Sequence, residues 1–232
     1  MPTRGRAHRL RATASLIAIA VANGSVASAA SVAGRHGAVA AEHRLASQAG
    51  VEILRAGGNA VDAAVAALLA GGVVHPSSSG LGGGGFMLVY MARGASVHAI
   101  DFRETAPAGA QRDMFVRDGR VDDVASKRGG LAVAVPAEPR GLAHALARYG
   151  TMSFAAAAAP AIRLARDGFE VEAFLADSLA KYRAELAADP ALAVELLRPD
   201  GSPYRAGEPM RRPALAATLE RLSRDGVESF YT

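Results

Sequence analysis

Apolar residues recur at helical spacing over residues 42–56, EHRLASQAGVEILRA, with Leu45, Ala46, Ala49, Ile53 and Leu54 on one face. Gly57-Gly58 stops that helix. Asn59 is placed to cap the next one, with Asp62 three residues on, near the positive helix end. That segment, AVDAAVAALLA, is apolar almost all round and predicts a buried helix ended by Gly71-Gly72. The loop SSSGLGGGG, Ser77 to Gly85, follows. Phe86 to Met91 is a continuous apolar run rich in β-formers, Arg93-Gly94 is a turn signal, and Val97 to Phe102 alternates loosely, so the three predict a β-hairpin. Asp118-Gly119 marks a second turn, and Leu131 to Val135 reads as one more short strand.

The second half is helical. One helix runs from Glu138 to Tyr149 and ends at Gly150. Ser153 caps a segment that ends at Gly168 and contains Pro160, which either opens a new helix at its first turn or kinks the segment. Residues 172–187 form an amphipathic helix with Phe174, Leu175, Leu179, Tyr182 and Leu186. Residues 198–213, with Pro199, Pro203, Pro209 and Pro213, read as a loop. A last helix spans Pro213 to Arg224 with Leu215, Leu219 and Leu222 on one face. No internal repeat or domain linker interrupts this order.

Composition changes the picture at one end of the chain. The 232 residues are half hydrophobic, which is ample for a packed core and excludes global disorder. The net charge of +4 invites a nucleic-acid or membrane-surface partner. Yet Arg4, Arg6, Arg9 and Arg11 lie in the first thirty residues, which hold no Asp or Glu, and setting them aside leaves 22 basic against 22 acidic residues. No nucleic-acid partner is therefore expected. These arginines form a positive n-region, Ala12 to Ala22 a short apolar h-region, and Ala27-Ser28-Ala29 or Ser28-Ala29-Ala30 a small-residue cleavage site. Residues 1–30 are thus expected to be a secretory signal peptide, residues 31–232 the mature part, and the destination export to a periplasm or the outside. The arginines are not adjacent, so a twin-arginine signal is not supported. The mature part holds no stretch apolar and long enough to span a membrane. The absence of Cys excludes disulfides, thiol catalysis and Cys-ligated metals.

Gly80, Gly82 and Gly85 formally match G-x-G-x-x-G, with Asp101 sixteen residues after Gly85. A dinucleotide site needs a strand before the motif and a helix after it, whereas here the order is helix, loop, strand. The loop instead suits a place where backbone passes close to another backbone or a ligand, or a simple flexible surface loop. Arg103, in Asp101-Phe102-Arg103-Glu104-Thr105, is open to two readings. It pairs with its acidic neighbours, or its planar fork of donors binds a carboxylate bidentately. His8, His36, His43, His75, His98 and His144 show no spacing for a metal pair and read as structural or exposed. No cofactor or metal is expected. There is no G-x-S-x-G nucleophile elbow. Cleavage after Ala30 would leave Ser31 with its own amine, an arrangement known for nucleophiles but mostly unused in exported proteins.

Several segments in order carry a family resemblance: Gly37-Ala38-Val39-Ala40, GVEILRAGGNAVDAAVAA (Gly50 to Ala67), GLGGGGF (Gly80 to Phe86) and DFRETAPA (Asp101 to Ala108). Val135-Pro136, Tyr149-Gly150-Thr151, LARDGF (Leu164 to Phe169) and Phe230-Tyr231 come after them. Together they resemble the N-terminal part of the gamma-glutamyltranspeptidase large subunit. Ala137 departs from the pattern, where the family usually has Gly. The resemblance implies an α+β fold, an N-terminal nucleophile hydrolase-like four-layer αββα sandwich, incomplete in this chain. It implies gamma-glutamyl acyl transfer or hydrolysis on glutathione or other gamma-glutamyl small molecules, with Arg103 binding the substrate α-carboxylate. The family's nucleophile is the N-terminal Thr of a small subunit made by self-cleavage, so that Thr and the oxyanion hole are expected in a missing C-terminal part or small subunit. On that expectation residues 31–232 alone are inactive and unstable, with core surface uncovered. The alternatives are a non-catalytic exported carboxylate-binding protein, a truncated gene product, or a cephalosporin acylase-like amidase.

Overall fold

The computed structural model describes residues 33–232. The signal-peptide expectation, His8 and Ser31 lie outside the described residues. Helix α1 (Arg44–Arg55) begins on His43, whose Nδ1 accepts from Leu45 N at 3.1 Å. It buries Ala46, Ala49 and Ile53, the face that the spacing predicts. The chain turns at Gly57, and Asn59 then opens α2 (Ala60–Val74). The cap is reciprocal. Asn59 Oδ1 accepts from Val61 N and Asp62 N, while Asp62 Oδ2 accepts from Asn59 N at 2.8 Å.

Helix α2 is the centre of the core, with Val65, Ala66, Ala70 and Val73 fully buried. It does not stop at Gly71-Gly72 but continues to Val74. Gly72 is there for another reason: a Cβ on it would lie 2.9 Å from Gly80 Cα in the returning loop. The glycine that reads as a stop is a point of close approach. The buried C-terminal end of α2 is capped by Arg212, whose Nη1 donates to the carbonyls of Gly72 and Val73 at 2.8 and 3.0 Å.

Strands β1 (Gly85–Met91) and β2 (Ser96–Phe102) pair antiparallel from Gly85↔Phe102 to Met91↔Ser96, as the pattern predicts. One face of this hairpin turns Val89, Ile100 and Phe102 into the core beside Val65 and Leu69. The other face is also apolar, yet Phe86, Leu88, Tyr90 and Val97 are exposed. A sheet with two apolar faces and helices on one of them is a half-covered layer, as an incomplete αββα sandwich requires.

Strands β3 (Val116–Arg117) and β4 (Arg120–Val121) flank the predicted Asp118-Gly119 turn, where both residues have positive φ. The strand expected at Leu131–Val135 is absent. Gly130–Ala132 is a short 3-10 turn, and only Val135 makes a bridge, with Thr105. Helix α3 (Glu138–Tyr149) has the predicted bounds, and α4 (Phe154–Asp167) starts on Ser153. Helix α4 runs through Pro160 with no new start, and presents buried Ala157, Ala158, Ala161 and Ala165. Such small side chains let α4 pass close to α2.

Beyond α4 the pattern is less faithful. Strand β5 (Phe169–Glu170) pairs with β6 (Pro209–Met210), inside the stretch that reads as a loop. The helix expected over 172–187 breaks at Tyr182 into α5 (Ala173–Lys181) and α6 (Arg183–Ala188). Asp189 then caps α7 (Pro190–Leu196), which the spacing did not mark. Helix α8 (Pro213–Asp225) buries Leu219 and Leu222, with Leu215 half-buried. The fold is α+β, and no described helix is long and apolar enough to cross a membrane.

Candidate functional site

Two of the sequence motifs meet at Asp62. Its carboxylate is completely buried and accepts from Asn59 N, Thr151 N, Thr151 Oγ1 and Met152 N, at 2.7–3.1 Å. Burial pushes its pKa up, but the bonds from Thr151 Oγ1, Asn59 N, Met152 N and Thr151 N outweigh burial and leave it below 3.8. Asn59 Nδ2 donates to the Tyr149 carbonyl at 2.6 Å. The GGNAVDAA and Tyr149-Gly150-Thr151 motifs are therefore two halves of one polar knot. Gly150 has negative φ, and glycine is required because a Cβ would lie 2.6 Å from Asp62 Oδ1. The knot fixes α2, and α2 carries the glycine loop.

That loop lies on the end of β2. A Cβ on Gly84 would collide with the Phe102 carbonyl and come within 3.0 Å of Glu104 N and 3.2 Å of Arg103 C. The backbone of residues 83–84 thus occupies space that any other residue would deny to the Arg103 segment. The Gly83 carbonyl accepts from Ala137 N and Glu138 N at 2.9 and 3.0 Å. Val135 N donates to the Thr105 carbonyl at 2.8 Å on the other side. The order helix, loop, strand stands, so the geometry is that of backbone approach and not of a helix end facing a pyrophosphate. Ala137, the departure from the family pattern, has φ −124° and needs no glycine.

The loop roofs a cleft of about 610 Å³, into which Phe102, Glu104, Glu138 and Arg212 face. Arg103 lies in the chain between Phe102 and Glu104, two of these lining residues. Its side chain is 70 % exposed, with Nε 3.5 Å from Glu104 Oε2, and its backbone N–H donates to Asp101 Oδ1 at 2.9 Å. Both open readings keep an observation: Arg103 leans on Glu104, and most of its donor fork faces solvent. Asp101 is bound to backbone, which leaves the guanidinium one acidic neighbour instead of two.

Glu138 lines this cleft, and sequence reasoning did not single it out. It is 6 % exposed, and Oε1 has no hydrogen-bond partner. Burial raises its pKa, the Gly80 backbone N–H works against this, and the Glu104 charge adds to it, with a result of about 7. An acid in the first turn of a helix ordinarily faces solvent and the helix dipole, so position alone gave no signal.

The histidines sit elsewhere. His43 is buried at the start of α1, with Nε2 3.4 Å from Glu172 Oε1. Burial lowers its pKa, against the raising effect of Glu172, and His75 and Arg44 lower it further. His75 is buried against Phe174, between Glu42 at 3.3 Å and Ser78 Oγ at 3.4 Å. These two and residues 86–88 of β1 border a wider groove of about 810 Å³. Among the described residues no group of three or more His, Asp or Glu is placed to hold a metal ion.

Comparison with known proteins bears on the same segments. A family model described as gamma-glutamyltranspeptidase matches residues 46–232. Glutathione hydrolase proenzyme 1 of Schizosaccharomyces pombe is 43% identical over 201 residues, which cover 87% of this chain and 31% of that protein. The gamma-glutamyltranspeptidase structure from Helicobacter pylori superposes with a TM-score of 0.84 at 33% identity, over 88% of this chain and 58% of that one. Cephalosporin acylase from Bacillus halodurans superposes with a TM-score of 0.70 at 31% identity, over 81% of this chain and 35% of that one. The chain spans about a third of the length of the curated relatives that it matches.

Proposed function

Because this chain belongs to the gamma-glutamyltranspeptidase family, we propose that it forms the N-terminal part of the large subunit of an enzyme that transfers or hydrolyses gamma-glutamyl groups. The substrates are glutathione and related gamma-glutamyl amides. In this scheme a threonine hydroxyl from a part of the enzyme outside residues 33–232 attacks the gamma-carbonyl. The amine leaves with a proton, an ester to the glutamyl group forms, and water or an acceptor amine then breaks that ester. The contribution of this chain is recognition, with Arg103 holding the α-carboxylate. Residues 1–30 direct the protein to export, and residues 31–232 are the mature part.

The observation that carries the proposal is the position of Arg103. Its fork of donors is open beside Glu104, which lines a cleft whose roof admits only glycine at position 84. A bidentate guanidinium–carboxylate pair contributes about 1.5–3 kcal/mol. Arg103→Lys in the protein that carries this chain should therefore raise KM for gamma-glutamyl-p-nitroanilide roughly tenfold to a hundredfold. Unchanged kinetics in Arg103→Lys would remove Arg103 from the site.

A second reading, amide hydrolysis on a cephalosporin side chain, is favoured by the superposition on the acylase. Turnover of a glutaryl-cephalosporin in preference to the gamma-glutamyl anilide would select it. A carboxylate-binding protein without catalysis would bind L-glutamate and turn over neither.

A further inference from the structure

Residues Val135 to Glu138 are threaded between two parts of the site. At one end Val135 pairs with Thr105, two residues beyond Arg103. At the other, Ala137 N and Glu138 N hold the Gly83 carbonyl, and the adjacent Gly84 lies against the Arg103 backbone. Loop, strand end and helix start thus form one body, with the Glu138 carboxyl inside it. A buried carboxyl committed only to structure would have both oxygens bonded, yet Oε1 of Glu138 is without a partner.

Taking Arg103 as the carboxylate clamp, we propose that Glu138 is its positioning residue, acting through the glycine loop and Glu104 so that carboxylate binding at Arg103 depends on the charge of Glu138. The groups that face Glu138 define the sign. The glycine loop brings no charge. The end of β2 brings Glu104, whose charge Glu138 feels, and Arg103, held at 3.5 Å from Glu104. Asp101 is on the outer face of β2, bound to Arg103 N, and His98 of β2 stacks on Tyr149 at the far end of α3. Helix α2 brings Asp62, enclosed in its knot. Helix α8 brings Arg212, which is tied to Glu195 at 3.0 Å and to the carbonyls of Gly72 and Val73. From residues 227–230, packed on α3, comes Glu228, and beside it Tyr231; both engage Arg140 on the exposed side. Neither Arg103 nor Arg212 is among the charges that shift Glu138, and the one ionic neighbour that does is Glu104. When Glu138 is neutral, one carboxylate faces Arg103. When it ionises, a second negative charge is added behind Glu104, and an incoming substrate carboxylate is repelled. The group is neutral below about pH 7 and charged above, so carboxylate affinity falls as pH rises through that value.

Titration calorimetry of L-glutamate into the protein that carries this chain, from about pH 5 to about pH 9, reads this directly. The affinity should fall by at least about fivefold, a typical lower bound for coupled sites. Its midpoint should lie near 7. Glu138→Gln should give a flat profile at the tight level. Glu104→Gln should move the midpoint down. The amide resonance of Gly80 gives a second readout that needs no ligand, titrating near the same pH in the parent and staying flat in Glu138→Gln. Retention of the same pH dependence by Glu138→Gln, or a Gly80 amide indifferent to pH, overturns the proposal. Arg103→Lys separates it from its premise: undiminished L-glutamate binding by that variant defeats the clamp, while the Gly80 titration still reports on Glu138.

Discussion

Replacing Asp62 with Ala removes the acceptor for four donors at once: Asn59 N, Thr151 N, Thr151 Oγ1 and Met152 N. Each buried donor left without a partner costs about 1–3 kcal/mol, and water entering the vacated space offsets part of this. The net loss should be about 5 kcal/mol, comparable with the whole stability of a domain at about 5–15 kcal/mol. Asp62→Asn keeps the volume and one acceptor oxygen and should lose about 2 kcal/mol. The assay is urea unfolding at neutral pH, with the midpoint shift converted through a slope shared by parent and variants. The pH dependence supplies a second check. The folded carboxyl has its pKa below 3.8, so the unfolded chain takes up the proton first. Its contribution is complete above 3.8 and is lost as pH falls through the folded value. Asp62→Asn should flatten that acid limb. A loss below about 1 kcal/mol in Asp62→Ala would refute the reasoning, because the four donors would then have found other partners.

Gly84→Ala should cost roughly 3 kcal/mol and lower carboxylate affinity, because the methyl group must push the loop off Arg103. Gly82→Ala, where a Cβ meets nothing within 4 Å, should cost less than about 1 kcal/mol, and equal losses in the two would defeat the close-approach argument. The apolar outer face of the β1–β2 hairpin should make residues 31–232 in isolation bind a hydrophobic dye and aggregate, and Leu88→Lys, at a position 76 % exposed, should reduce both at little cost in stability. A cooperative thermal transition of a soluble monomer without dye binding would contradict it.

The parts legible in the sequence are those fixed by near neighbours. The face of α1, the bounds of α3, the Asn59 and Ser153 caps, and the hairpin with its turn each depend on residues a few positions apart. Arg103 is singled out by its chemistry and its motif, and its role as a clamp is a proposal. What failed depends on distant partners. Gly71-Gly72 read as a stop because a glycine pair shows only that a Cβ is missing; the Gly80 backbone it makes room for returns eight residues after Gly72. Leu131–Val135 read as a strand from its β-formers, yet just Val135 found a partner, Thr105, thirty residues earlier. The β5–β6 pair joins Phe169 to Met210 and Glu170 to Pro209, and its second strand falls in a proline-rich stretch where local signals favour a loop.

Glu138 and Asp62 show most clearly why residue type and position underdetermine a site. Both are acids in the first turn of a helix, and both suit the helix dipole equally well. Asp62 is met by the Thr151 backbone and hydroxyl and becomes a stronger acid than usual. Glu138 is met by a loop made mainly of glycine, which supplies no side chain to bond its Oε1, and becomes a weaker one. Gly84 lets the loop reach the Arg103 backbone, and Gly80 and Gly83 of the same loop lie beside Glu138 and offer it no side-chain partner. Close approach and a carboxyl that changes charge near neutral pH have one cause in this fold, and a substitution that relaxes the loop should abolish both together.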